Sequence, residues 1–263
     1  MAKIGFIGMG NMGYAMLNGV LGEFAPGQII FTTPHKEKCE KISAQTGVKY
    51  AESNAECANN AKYIILAVKP QMYDVVLKNI ENVITSEKVI ISIAPGITID
   101  SIKGKLGGSV RVVRAMPNTP ALVGEGMSCV CGNAKCSSED VDTVCRIFAG
   151  FGKTEIVEED MIDVVVGVSG SSPAYVFMFI EAMADAAVSD GMPRAQAYRF
   201  AAQAVLGSAK MVLETGKHPG ELKDMVCSPK GTTIEAVRVL EEKGLRSAVF
   251  EAMKACVKKG REV

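Results

Sequence analysis

The chain has 263 residues, with 29 lysines and arginines against 29 aspartates and glutamates, two histidines and eight cysteines. That length accommodates one or two domains with an ample core, and zero formal charge without a basic run argues against nucleic acid as a partner. The chain opens without a charged leader, its most apolar helical stretch (175–188) is too short to span a bilayer and carries Glu181 and Asp185, and neither the cysteines nor His35 and His218 have metal-ligand spacing. The expectation is a cytoplasmic protein with reduced thiols, no membrane contact and no metal.

The opening segment organises the rest. Residues 3–7 read as a short buried strand, and Gly8, Gly10 and Gly13 form G-x-G-x-x-G before a helical pattern at Tyr14, Leu17, Val20 and Leu21. The first glycine permits the tight turn, the second lets a pyrophosphate approach bare backbone, and the third lets helix and strand pack closely. The N–H groups of the helix start, over Met9, Asn11 and Met12, face that anion. A second strand, 28–33, ends in Thr32, Thr33, Pro34, His35 and Lys36, where an NAD-selective site carries a carboxylate. Hydroxyls with a cation suit a 2′-phosphate, so the cofactor expected is NADPH, with NADH as the alternative.

Three further apolar runs, 61–68, 88–93 and 109–116, read as central parallel strands. They end at Lys69-Pro70, Ala94-Pro95-Gly96 and Pro117-Asn118-Thr119-Pro120. Those ends form one rim at the carboxyl edge of the sheet, where open α/β folds bind ligands. Residues 127–132 and 154–157 are the last expected strands, separated by a helix over 138–148 with Ser138 as its N-cap. Beyond 158 the pattern is wholly helical: 173–189 opening on Pro173, 194–215, 219–225, and 234–259 loosened at Gly244. The fold class is therefore an α/β N-terminal Rossmann domain (1–158) plus an all-α C-terminal domain (159–263).

The second half carries one sharp motif, Val226-Cys227-Ser228-Pro229-Lys230-Gly231-Thr232-Thr233-Ile234-Glu235. Thr232 and Glu235 have capping-box spacing. The N–H groups of Gly231, Thr232 and Thr233, with three nearby hydroxyls, offer a place for a carboxylate.

Taken together, G-M-G-N-M-G, Ala67-Val68-Lys69-Pro70, Met116 to Pro120, Gly170-x-x-Pro173-Ala174-Tyr175 and Ser228-Pro229-x-Gly231-Thr232-Thr233 resemble the pyrroline-5-carboxylate reductase family over essentially the whole chain. The resemblance implies NAD(P)H-dependent reduction of 1-pyrroline-5-carboxylate, a cyclic imine carboxylate, to L-proline, the last step of proline biosynthesis. It implies a homodimer through the helical domain, assembling further into a decamer. It implies that Thr233 is the catalytic residue, hydrogen-bonded to the ring nitrogen of the substrate. Ser228, Gly231 and Thr232 match the carboxylate loop, Met225 and Val226 its wall, and Glu159 a position near the substrate pocket. Asn54, with Ala67, Val68, Lys69, Pro70, Ala94, Pro95 and Gly96, matches cofactor contacts. Lys230 and Ser172 stand where the family usually has glycine.

Two rivals are weighed. A β-hydroxyacid dehydrogenase-like oxidoreductase needs a lysine on the long helix, and 173–189 has no lysine or histidine, its only charged groups being Glu181 and Asp185. A non-catalytic NADP-binding regulator has no use for the Ser228–Thr233 loop.

Overall fold

Apolar residues alternating along the first strands sort the N-terminal half into two faces. The computed structural model describes residues 2–262. Its strands are β1 (Ala2–Ile7), β2 (Ile29–Thr32), β3 (Lys49–Tyr50), β4 (Ala61–Leu66), β5 (Val89–Ser92), β6 (Arg111–Met116), β7 (Gly126–Gly132) and β8 (Gly152–Ile156). They form one sheet in the order β3-β2-β1-β4-β5-β6-β7-β8. All neighbours are parallel except β6 and β7, and Ile4 pairs with Ile29 on one side and Tyr63 on the other.

One face collects Ile4, Phe6, Ile65, Ile91 and Val130 under α1 (Asn11–Val20), α2 (Lys36–Thr46) and α6 (Ser138–Ala149). The other collects Ile7, Ile64, Leu66, Ile90 and Val112 under α3 (Asn54–Asn59), α4 (Tyr73–Ile80) and α5 (Ile99–Leu106). This period-2 sorting into two covered faces makes a doubly wound sheet. All eight cysteines are free; Cys39, Cys57, Cys129 and Cys131 are buried, and burial pushes the Cys57 thiol up to about 12.

Several expected elements shift. The strand expected over 61–68 stops at Leu66, and Pro70–Met72 is a short 3-10 turn. The N-cap of α6 is Ser137, not Ser138: its hydroxyl accepts the Asp140 N–H at 3.2 Å while Asp140 accepts the Ser137 N–H at 3.0 Å. The helices α3 and α5 stand where no helix was expected; Ser53 and Thr98 cap them by accepting the N–H three residues on.

After β8 a 3-10 turn, α7 (Ile162–Val165) and a π-turn (Val166–Gly170) lead to α8 (Ser172–Ser189). Ile162 is buried against the sheet. The compact units accordingly part at Ser171, later than the compositional break at 158: the first holds the residues up to Ser171 and those from Cys256 on, the second Ser172–Ala255. The second comprises α8, α9 (Arg194–Thr215), α10 (Pro219–Val226), α11 (Thr232–Glu242) and most of α12 (Leu245–Gly260). The last two were expected as one helix. Gly244, at φ +75°, separates them by a left-handed turn.

In this unit α8 buries only Ala184, and α11 and α12 bury nothing. Phe177 is 63 % exposed, Met178 69 % and Leu213 85 %. The run Glu159–Ser189 is 31 residues long and apolar enough to cross a membrane by length and composition, so the stretch is longer than the sequence suggested.

Candidate active site

Strand order determines where a ligand sits. The chain runs outward from β1 to β2 and β3, then returns to β4 on the other side of β1. The crevice beyond the carboxyl ends of β1 and β4 is the switch point of the sheet. Gly8 and Gly13 take the tight-turn and close-packing roles that the sequence implied, and Gly10 stays open. Gly8 has φ +101°, and a Cβ on it would lie 2.5 Å from the Ala67 carbonyl oxygen. A Cβ on Gly13 would lie 2.4 Å from the Gly8 carbonyl oxygen, whereas one on Gly10 meets nothing within 4 Å. Gly10 is the exposed N-cap of α1, without a side-chain cap, and no acidic residue stands in the first turn. The N–H groups of Asn11, Met12 and Gly13 have no intrahelical acceptor. The helix start is thus open to a pyrophosphate; Met9, by contrast, is buried in the core.

The neighbouring strand ends complete the rim. Thr32 is buried, and its carbonyl accepts the Gly8 N–H at 2.9 Å. Thr33 is half-buried; His35 and Lys36 are exposed, with His35 as an N-cap whose side chain caps nothing. No carboxylate stands at this strand end before Glu37 in α2, which fits the residues to a cofactor bearing a 2′-phosphate. Ala67 donates its N–H to the Ile7 carbonyl at 2.8 Å, Val68 and Pro70 are half-buried and Lys69 is exposed. Asn54 opens α3. Ala94 is buried, Pro95 is half-buried, and Gly96 turns at φ +75°. The Tyr73 hydroxyl ties β4 to β5, bonding the Leu66 carbonyl at 3.0 Å and Ser92 Oγ at 2.9 Å. Burial pushes this phenol up to about 12, so it remains a neutral donor.

Sequence reading missed a polar cluster beside this rim. Arg114 lies on β6, 4 % exposed, with Nη1 donating to Glu159 Oε1 and Nη2 to Asp163 Oδ1, each at 3.4 Å. The Asn118 amide donates to the Ser169 carbonyl at 2.9 Å and its oxygen accepts the Met127 N–H at 2.9 Å. The available signal was a charged residue inside the apolar run Val112-Val113-Arg114-Ala115. Glu159, expected beside the substrate, accepts the Ile99 N–H at 2.8 Å.

In the helical unit the loop from Cys227 to Gly231 joins α10 to α11. Cys227 donates its N–H to the Asp224 carbonyl at 3.1 Å and Gly231 its N–H to the Ser228 carbonyl at 3.0 Å. A Cβ at Gly231 would lie 2.2 Å from Ser228 Oγ and 3.1 Å from the Ser228 carbonyl oxygen, so a side chain there would displace the Ser228 hydroxyl. The expected capping box does not form. Gly231, not Thr232, is the N-cap, and the Glu235 carboxylate pairs with Arg238 at 2.8 Å. The Gly231 N–H is taken by Ser228, so the N–H groups of Thr232 and Thr233 are the ones left for an anion. Ser228 and Thr232 are exposed and Thr233 is half-buried; Met225 and Val226 are exposed. Lys230, at φ +57°, is the one non-glycine with positive φ among the described residues.

Comparison with known proteins fits these two motifs. A family model described as pyrroline-5-carboxylate reductase dimerisation matches residues 159–263, and one described as NADP oxidoreductase, coenzyme F420-dependent, matches residues 3–96. The chain is 58 % identical over 263 residues to the pyrroline-5-carboxylate reductase of Escherichia coli (strain K12), covering 99 % of this chain and 98 % of that one. The chain belongs to the pyrroline-5-carboxylate reductase family.

Solved reductases of this family share the fold throughout. The Coxiella burnetii reductase superposes with a TM-score of 0.94 at 34 % identity, covering 99 % of this chain and 98 % of that one. The Plasmodium falciparum reductase, solved with NADP bound, gives 0.89 at 33 % identity and covers 99 % and 97 %. As a member of the family this reductase is an NADP-dependent oxidoreductase with a dimerisation region, and within that region α8 and α9 expose large apolar side chains.

Proposed function

We propose that this reductase converts 1-pyrroline-5-carboxylate to L-proline, with NADPH as the preferred reductant and NADH as the alternative. The observation that carries the reading is the pairing, in one chain of this family, of an uncapped helix start at Gly10 with the glycine-closed loop Ser228–Gly231 before α11.

When bound, the cofactor supplies the hydride that ends on the C=N carbon. The chain contributes placement. Gly8 to Gly13 receive the pyrophosphate at the start of α1, and Thr32, Thr33, His35 and Lys36 receive the 2′-phosphate. Asn54 and the strand ends Ala67–Pro70 and Ala94–Gly96 hold the remainder. The substrate carboxylate lies against the Thr232 and Thr233 N–H groups with the Ser228 and Thr232 hydroxyls, and Met225 and Val226 form an apolar wall. The Thr233 hydroxyl aligns the ring nitrogen. A threonine hydroxyl is too weak an acid to protonate an imine, so the nitrogen gains its proton from the substrate's own iminium form or through water. Residues 159–263 serve substrate binding and dimerisation, and dimers assemble into a decamer in the cytoplasm.

The test is oxidation of NADPH and of NADH by purified protein with pyrroline-5-carboxylate. Turnover, faster with NADPH, is expected; tight cofactor binding without turnover on any cyclic imine would leave the regulator as the better reading.

A further inference from the structure

A buried arginine is an expensive residue, because its guanidinium keeps its proton. Arg114 is surrounded in β6 by Val112, Val113 and Ala115, and its two ion pairs, at 3.4 Å, are long. Its Nε is the one buried side-chain polar atom without a hydrogen-bond partner among the described residues. Such a loosely satisfied pair is a poor stabiliser, since apolar side chains of similar volume commonly do as well in its place.

Its effect is geometric. The Glu159 oxygen that faces Arg114 also accepts the Ile99 N–H at 2.8 Å. Ile99 is the first residue of α5. The backbone before it, from Ala94 through Gly96 to Thr98, leaves β5 on the cofactor rim. Thr98 caps the same helix start through Ser101 at 3.1 Å. Glu159 therefore clamps the far end of the loop while Arg114 fixes the clamp.

We propose that Arg114 and Glu159 are positioning residues for the nicotinamide cofactor, acting through the Ala94–Thr98 loop, and that Glu159 has no contact with substrate. This rests on reading Ala94–Gly96 as a cofactor loop.

The experiment measures NADPH dissociation constants directly on the full-length protein, alongside KM for both substrates and the thermal midpoint. In Glu159→Ala the NADPH dissociation constant should rise about tenfold, the size of one lost charge-assisted hydrogen bond. The imine KM should stay unchanged. Glu159→Gln keeps an oxygen for the Ile99 N–H and should recover most of the loss, which a role in stability alone would not require. An unchanged NADPH constant in Glu159→Ala, or a raised imine KM in its place, overturns the proposal. Gly96→Ala separates the two levels. If it weakens NADPH while Glu159→Ala does not, only the positioning role fails; if neither does, the loop is no cofactor loop and both readings fall.

Discussion

The two compact units contain similar proportions of apolar residues and treat them in opposite ways. In the sheet unit almost every large apolar side chain of the strands is inaccessible to water. In the helical unit α8, the more apolar of its two long helices, buries one alanine, and α9 buries Ala197 and Ala201. The difference lies in which surfaces each unit can supply. A sheet brings two faces and its crossover helices cover them within one chain. A row of helices apolar on several sides has no second layer of its own. Hydrophobicity read from a sequence thus says how much surface must be covered, and leaves open whether the same chain covers it.

The contrast can be broken most severely in the helical unit. Replacing Phe177 of α8 and the likewise exposed Phe200 of α9 by glutamate should cost about 3 kcal/mol per site in assembly; light scattering should show a smaller particle, and the wild-type melting temperature should rise with protein concentration where the variant's does not. In the sheet unit Gly13→Ala should cost about 3 kcal/mol by forcing Cβ against the Gly8 carbonyl, as read from denaturant midpoints. Gly10→Ala should fold like the wild type and still weaken NADPH about tenfold, because its methyl points into open space.

The chemistry should separate along the same line: Thr233→Ala should lower turnover about a hundredfold with the NADPH dissociation constant unchanged, and equal turnover would remove the role assigned to this hydroxyl. Acid should probe the sheet unit. Burial by itself would raise the Asp140 carboxyl, but hydrogen bonds from Ser137 and the charges of Arg111 and Lys62 outweigh it and hold the group below the ordinary carboxylate range. Its contribution is whole above the unfolded value near about 3.9 and is lost as pH falls through the lower folded one. Asp140→Asn should flatten that limb of an unfolding-against-pH profile, at any protein concentration. The smallest change is Lys230→Gly, which should relieve about 1 kcal/mol of left-handed backbone strain in the Ser228–Gly231 loop and raise the melting temperature by a few degrees.

Much of this was legible because glycine, proline and period-2 apolarity act locally. The G-x-G-x-x-G turn foretold the two close backbone contacts at Gly8 and Gly13, and helix α9 ends at Gly216 in the left-handed conformation a C-cap needs. Cap positions were harder. Ser137 and Ser138 are equally good caps by composition, and the choice falls to Asp140, which lies three residues after Ser137 and reciprocates. Likewise Thr232 and Glu235 have capping spacing, but Arg238 competes for the carboxylate. The Arg114 cluster joins residues more than forty positions apart, and no local pattern announces which carboxylates a buried arginine will find. The length of the apolar run after β8 was underestimated because Ser169 to Pro173 reads as a break, whereas a π-turn carries the backbone through it.

That run has a consequence for the newly made chain. A ribosome releases it before any partner is at hand, and to the cell's insertion machinery Glu159–Ser189 is long and greasy enough to be mistaken for an anchor. Glu181 and Asp185 lie in the C-terminal third of that run, and a carboxylate in an inserting helix costs up to roughly 2.5–3.5 kcal/mol, the value at its centre on translocon scales. Asp185 is held on the outside of the folded helix by Arg194. Two acids of that cost make the segment a poorer anchor than its length alone would make it.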